Sequence, residues 1–502
     1  MERIALDGRS LDLGALERIA RGEAVAGLDP AARERMSASR AVVDRCVAEG
    51  RTVYGVTTGF GVFADVAISP ENRIELQRNL ILSHCAGVGD PLQPAVVRAM
   101  MALRANALAR GLSGIRPEVV EVLLRVLESG IVPVIPSQGS VGASGDLAPL
   151  AHLAAAMMGV GEAWVDGERF TADEALRRRG IELVVFEAKE GLAMINGTQA
   201  ICAIGGLALA EARRLADLAD LFAAMTLDAL QGTDAAFDAR IHEARPHDGQ
   251  REVARRMRAL LAGSGIRESH RDCGKVQDAY SLRCIPQVHG AVRDALAFAV
   301  RTFEIEMNAA TDNPLVFAEG DVVSGGNFHG APVALASDFA AVAMTDLASI
   351  SERRIERLVN PSLSDLPPFL VREGGLHSGF MMAQVTAAAL VSESKALAHP
   401  ASVDSIPTSA NKEDHVSMGT IAARKLAAIV ENAAHVLAIE GICAAQALEF
   451  RRPLRSSEAV ERAYSRIRRS AAAWDADRHL HPDLVAVRRD LDAIARTAGS
   501  VV

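Results

Sequence analysis

Past residue 200 the chain repeats apolar side chains at helical spacing over long stretches. Leu207, Leu215, Leu218, Phe222 and Met225 fall on one such series, and Val292, Leu296, Ala299 and Phe303 on another. Each pattern is broad rather than a narrow stripe, which marks helices buried on several sides. Long helices are predicted over 331–358, 379–398 and 416–446, with shorter ones at 71–86 and 94–110. Pro- and Gly-bearing joints at 312–314, 324–332, 359–368 and 400–413 interrupt them and collect polar residues. Composition agrees. The chain is 49% hydrophobic but only 4% aromatic, which suits closely packed helices better than a β-sandwich. The expectation is a mainly α fold: a loop-rich N-terminal region (1–200), a central bundle of long helices (201–450) and a helical tail packed on it (451–502).

Several function classes drop out early. A net charge of −9 with no basic stripe argues against nucleic acid as a partner, and the arginines at 177–179 and 451–455 read as solvated faces. Cysteines 46, 85, 202, 273, 284 and 443 form no C-x-x-C pair, so neither a disulfide framework nor a zinc site is indicated. The thirteen histidines show no ligand spacing, and no metal is expected. The charged amino terminus lacks an apolar signal core. Gly191 to Ala210 is apolar, yet Asn196, Thr198 and Gln199 interrupt it, as in a buried loop-and-helix junction rather than a membrane span. A cytoplasmic, reduced protein with no membrane partner is expected.

The chemistry concentrates at residues 136–150, where Ala143-Ser144-Gly145 lies between Gly142 and Asp146. As Gly/Ser-rich sequence this is an ordinary turn before a helix. It is no phosphate loop, because no Lys-Ser or Lys-Thr follows the glycines, and its order does not match G-x-S-x-G. Three small residues in a row do allow the Gly145 nitrogen to approach the Ala143 carbonyl carbon. Cyclisation there, with loss of water from the ring and from Ser144, would leave an exocyclic methylene. None of the twenty side chains supplies such a carbon electrophile. A helix opening at Asp146 would add positive potential beside it.

Tyrosine is scarce: Tyr54, Tyr280 and Tyr464 are the only three. Tyr54 and Tyr280 sit in polar, turn-rich settings, where a buried ring with a satisfied hydroxyl is the plainer reading and an acid–base role the sharper one. Gln277, Tyr280 and Arg283 are three apart, so one helical turn would align them. Pro286 would end or kink that helix, and an arginine there can hold a carboxylate bidentately.

Six segments together carry a resemblance: Gly139-Ser-Val-Gly-Ala-Ser-Gly-Asp-Leu-Ala-Pro-Leu, Tyr54-Gly-Val-Thr-Thr-Gly-Phe-Gly, Ile195-Asn-Gly-Thr-Gln, Val276-Gln-Asp-Ala-Tyr-Ser-Leu-Arg, Ser324-Gly-Gly-Asn-Phe-His and Glu413-Asp-His-Val-Ser-Met. From about residue 40 to 455 the chain resembles the aromatic amino acid ammonia-lyases, which use a 4-methylidene-imidazol-5-one (MIO) cofactor. The resemblance implies a fumarase/aspartase-like helical architecture with the MIO in the N-terminal region, and a homotetramer whose sites draw on several subunits. It implies that Ala143, Ser144 and Gly145 form the MIO and that Tyr280 is the general base. A free tyrosine titrates near 10, so positive charge or donors must assist it. Arg283 and Asn196 would hold the substrate carboxylate, with Asn196 also on the MIO carbonyl. Tyr54 would hydrogen-bond near the MIO, Gln277 would orient the site, and Phe328 would pack against ring and cofactor.

Within that family, the pair Ser83-His84 and the carboxylate Glu413 are of the histidine-acting type. The implied reaction is loss of ammonia from L-histidine to give trans-urocanate, the first step of histidine degradation. An imidazole ring offers polar atoms to such a clamp; a benzene ring would leave each buried polar group unpaired at about 1–3 kcal/mol. Three positions depart from the common pattern: Lys412 where many relatives have Gln, Ala331 where Glu or Gln is frequent, and Thr57 where Asn is frequent. A Lys412 pointing inward would weaken Glu413; pointing outward it would do nothing. Tyrosine or phenylalanine elimination and 2,3-aminomutation remain alternatives within the family. A fumarase-type lyase without MIO and a non-catalytic helical protein are the alternatives outside it.

Overall fold

Every long helix expected from periodicity forms. The computed structural model describes all residues except 1, 64, 272, 273, 275, 498 and 500–502, so Cys273 lies outside the described residues. The predicted segments become Arg73–His84, Pro94–Ala109, Ala331–Val359, Met381–Leu397 and Gly419–Glu449. The two apolar series lie on the helices Gln199–Ala229 and Ile285–Met307. The fold is mainly α. Local signals set several ends: Pro94 and Pro117 open their helices where no partner for their nitrogen is needed. Ala331–Val359 and Gly419–Glu449 are long and apolar enough to cross a membrane, but 67% and 72% of their most apolar windows are buried within the chain. They are interior helices.

The chain forms two compact units that are not consecutive in sequence. The first comprises Met1–Ala210, Ala299–Asp338 and Pro400–Arg424. It begins with a parallel strand pair, Glu2–Leu6 against Ala24–Leu28, joined through the helix Leu13–Arg21. Asp12 caps that helix by accepting from the Ala15 nitrogen at 2.7 Å, and Gly22 closes it at φ +75°. Residues 191–210 form the expected buried junction: the helix Glu190–Ile195, a break at 196–198, then the start of Gln199–Ala229. A short antiparallel pair, Val88–Pro91 with Pro136–Gln138, delivers the chain into the 139–146 loop.

The second unit comprises Glu211–Phe298, Phe339–His399 and Lys425–Val502. A buried polar chain runs through its core. Asp220 accepts from His289 Nδ1 at 2.8 Å and from Arg256 Nε at 2.7 Å. Arg354 Nη1 meets His289 Nε2 at 3.2 Å. Because a guanidinium only donates, that nitrogen must be the acceptor and Nδ1 must carry the proton; burial, which lowers the His289 pKa, favours the same neutral ring. Arg354 also grips Glu440 through Nε at 2.5 Å and Nη2 at 2.8 Å, and Thr226 and Ser351 donate to the same carboxylate. Removing one partner of a buried pair strands the other charge. Arg354→Met is therefore expected to destabilise the protein by about 3–5 kcal/mol, read as a lowered denaturant midpoint; an unchanged midpoint would show that the pair contributes nothing net. The tail helices Glu458–Ser470 and His481–Thr497 belong to this unit, where Arg488 donates to Glu211 and Glu431 at 2.6 Å each.

Candidate active site

The 139–146 loop is held open by contacts from distant segments of the first unit. Ser417 Oγ donates to the Gly142 carbonyl at 2.9 Å, and Met418 N donates to the Val141 carbonyl at 2.8 Å. Asp146 N donates to the Gly197 carbonyl at 2.7 Å. Gly145 lies at φ +73°, and a Cβ there would stand 2.2 Å from the Gly197 oxygen. No other residue fits. The Asp146 carboxylate accepts from Thr420 Oγ1 at 2.6 Å, Ser140 Oγ at 3.0 Å and Ile201 N at 2.8 Å. The Asp146 side chain thus caps the helix Gln199–Ala229 and not the helix Leu147–Met157, which it precedes without a side-chain bond to that helix's nitrogens. Complete burial pushes its carboxyl up to about 6, against hydrogen bonds from Thr420, Ile201, Ser140 and Ala200 that favour the ionised form.

Ser144 opens onto a cavity of about 880 Å³, also lined by Tyr54, Ser83, His84, Asn196, Phe328 and Glu413. That volume suits a small-molecule site. Asn196 Nδ2 donates to the Ser144 carbonyl oxygen at 2.7 Å. Its backbone is pinned by fully buried Arg104, which donates to the Asn196 carbonyl at 3.1 Å, the Thr311 carbonyl at 3.3 Å and Gln199 Oε1 at 2.6 Å. Burial lowers the Arg104 pKa to about 10, which leaves it a cation at neutral pH. Glu413 accepts from Ser144 Oγ at 2.7 Å and from Thr408 Oγ1 at 2.6 Å. It rides on a constrained loop: Ser409, Ala410 and Asn411 all have positive φ, at 51°, 52° and 67°. His84 Nδ1 lies 2.7 Å from the Leu80 carbonyl. A carbonyl can only accept, so Nδ1 carries a proton, and in the uncharged tautomer Nε2 is then an acceptor. The cavity thus places a carboxylate, Glu413, and a ring that can accept through Nε2, His84, where both suit a ring that bears N–H groups.

Three expected site residues are not among those that line this cavity. Gln277, Tyr280 and Arg283 belong to the second unit and do not line it. Nor do they share one helical face, as their spacing predicts. The helix is a single turn, Tyr280–Arg283, and Gln277 lies before it in non-helical chain. Pro286 neither ends nor kinks it; Cys284 breaks the helix, and Pro286 falls in the first turn of Ile285–Met307, where proline is tolerated. Tyr280 is 70% exposed, and the Arg283 guanidinium carbon stands 4.5 Å from its ring centre, within cation–π range. Gln277 lines a smaller cleft with Asp278, Arg357 and Asp365.

Of the departures, Lys412 is exposed and no ion pair joins it to Glu413 among the described residues. Thr57 is buried and donates to the Arg51 carbonyl at 2.6 Å, a structural task. Ala331 starts its helix, with its nitrogen 3.3 Å from His329 Nδ1. Sequence reading missed the clamp of Ser140, Ser417 and Thr420 and the support from Arg104. Each acts through a partner far away in the chain, so no local pattern signals it.

The residues present fit an internal MIO ring. The triplet is small, Gly145 has no room for a side chain, Asn196 already addresses the Ser144 carbonyl, and a helix begins directly after the loop.

Comparison with known proteins points the same way. The aromatic amino acid lyase family model matches residues 11–469. A histidine ammonia-lyase of Anaeromyxobacter dehalogenans (strain 2CP-C) is 56% identical over 502 residues, covering 98% of this chain and 99% of that protein. The crystal structure of histidine ammonia-lyase from Trypanosoma cruzi superposes with a TM-score of 0.93 at 46% identity, covering 100% of this chain and 96% of the other. A tyrosine aminomutase from Streptomyces globisporus also reaches 0.93, at 39% identity over 98% of this chain and 97% of its own. A match this long, on a fold this close and with the triplet loop at the cavity, has one meaning: the chain belongs to the aromatic amino acid lyase family.

Proposed function

We propose that this protein eliminates ammonia from L-histidine to give trans-urocanate, the first step of histidine degradation. The observation that carries the substrate choice is the pairing of His84 and Glu413 in the Ser144 cavity. The relatives named above support the reaction class. An MIO ring formed from Ala143, Ser144 and Gly145 would supply an electrophilic carbon, the chemistry that turns an amino group into a better leaving group. Asn196, whose amide donates to the Ser144 carbonyl at 2.7 Å, would steady the ring carbonyl made from it and help hold the substrate carboxylate. Phe328 packs against ring and substrate, and Tyr54 donates toward the reacting end. Ser83 and His84 face the imidazole, as does Glu413.

Tyr280 would remove the β-proton, with Arg283 stacked on its ring and free to bind the carboxylate, and Gln277 orienting the pair. In this reading that trio reaches a cavity through assembly, the protein working as a homotetramer whose sites draw on several copies. A reducing cytoplasm suits the five described cysteines, all free thiols.

The test is a near-ultraviolet assay of the purified protein with L-histidine, L-phenylalanine and L-tyrosine side by side. Urocanate and ammonia from histidine alone is the expected outcome. Cinnamate or coumarate would keep the chemistry and overturn the substrate. A β-amino acid product would make the protein an aminomutase.

A further inference from the structure

In the unprocessed chain the Ser144 hydroxyl already has a partner. It donates to Glu413 Oε1 at 2.7 Å, while Thr408 Oγ1 holds the other carboxylate oxygen at 2.6 Å. Both Glu413 oxygens are therefore engaged before any substrate arrives, one of them by the group that must leave. The second carboxyl near the loop, Asp146, is turned to Ser140, Thr420 and Ile201 and does not contact this hydroxyl. We propose that Glu413 is the general acid that carries the Ser144 hydroxyl away as water during formation of the internal electrophile. The same carboxyl would then be released to meet the substrate ring. The inference rests on the cofactor reading above and assigns to Glu413 an earlier task.

Ring closure joins the Gly145 nitrogen to the Ala143 carbonyl carbon, and that oxygen departs as a first water with the amide protons of Gly145 and Ser144. In the second dehydration the Ser144 Cα–H bond breaks, its electron pair forms the Cα=Cβ bond, and its proton passes to solvent. The Glu413 carboxylate, which accepts from Ser144 and Thr408 in the resting chain, first takes a proton from solvent, so that its bond to Oγ reverses; the Cβ–Oγ bond then breaks with its electrons on oxygen, which takes that proton and leaves as water. Glu413 is left ionised. Hydroxide is a poor leaving group, so a proton delivered at hydrogen-bond distance is what this step most needs. Asn196 contributes from the other side: its amide, 2.7 Å from the Ser144 carbonyl oxygen, stabilises the charge that builds there as the Cα proton leaves. Departure of Oγ also frees Glu413 Oε1 toward the cavity, so that completion of the electrophile and opening of the substrate contact become one event.

Intact-mass spectrometry of freshly purified protein tests this without any turnover assay. Wild type should be lighter than its translated mass by two waters. Glu413→Gln, nearly isosteric but unable to give up a proton, should be lighter by one water and lack the wild-type near-ultraviolet absorbance. A Glu413→Gln chain lighter by two waters overturns the proposal. So does one at full translated mass, which would place Glu413 before ring closure. If Glu413→Gln does not fold, as judged by helical circular dichroism, Glu413→Ala with added acetate replaces it. Loss of the second water only with acetate supports the acid role; its loss without acetate, or its retention despite acetate, overturns it. Wild type at full translated mass would sink the cofactor reading itself, a result distinct from failure in the variants alone.

Discussion

Ser144→Ala is expected to lose turnover by roughly 10³-fold or more, because the proposed electrophile would be a covalent participant and not an adjunct to binding. Alanine cannot yield the methylidene carbon, whatever else folds correctly. The fold should survive: the loop is anchored through the Gly142 and Val141 carbonyls, the Asp146 carboxylate and the Gly197 carbonyl, none of which uses the Ser144 side chain. Urocanate formation followed in the near ultraviolet reads the effect, with circular dichroism as the control. Retained turnover would remove the MIO from the account. The same variant tests the assembly. Co-expressed with Tyr280→Phe chains, it should regain activity that neither chain shows alone, because a mixed assembly can join an intact Ser144 to an intact Tyr280. No recovery in verified mixed assemblies would overturn the shared-site reading.

Asn196→Ala is expected to lower kcat by about 10²–10³-fold, the usual effect of deleting one preorganised donor aimed at developing charge. Its amide sits 2.7 Å from the Ser144 carbonyl oxygen, and Arg104 holds it there from a fully buried position. An interaction made mainly in the transition state lowers kcat and kcat/KM together. A rise in KM at unchanged kcat would instead assign Asn196 to ground-state carboxylate binding only. Near-ultraviolet absorbance separates either result from a failure to form the ring.

Much of the fold was legible because its signals are local. Helical periodicity located the helices at 73–84, 94–109, 331–359, 381–397 and 419–449 to within a few residues. The short strands were not legible in detail: Val132–Pro133 and Pro136–Gln138 are too brief to show alternation, and their pairing with distant segments makes them strands. Gln277 shows the limit of spacing as a guide. Three-residue steps align side chains only if the backbone is helical throughout, and here the helix begins at Tyr280.

For the site, the sequence carried the chemistry mainly through resemblance. The small residues of Ala143-Ser144-Gly145 allow an internal electrophile, and likeness to the family assigned it there and set Ser83, His84 and Glu413 against an imidazole. Tertiary structure decided who addresses whom. Glu413 meets the Ser144 hydroxyl across 269 residues, and Asp146 caps a helix that begins at Gln199. The cause is physical: turns and helices follow from interactions between near neighbours, whereas a hydrogen bond between remote segments exists only after packing has brought its partners within 3 Å or so of each other.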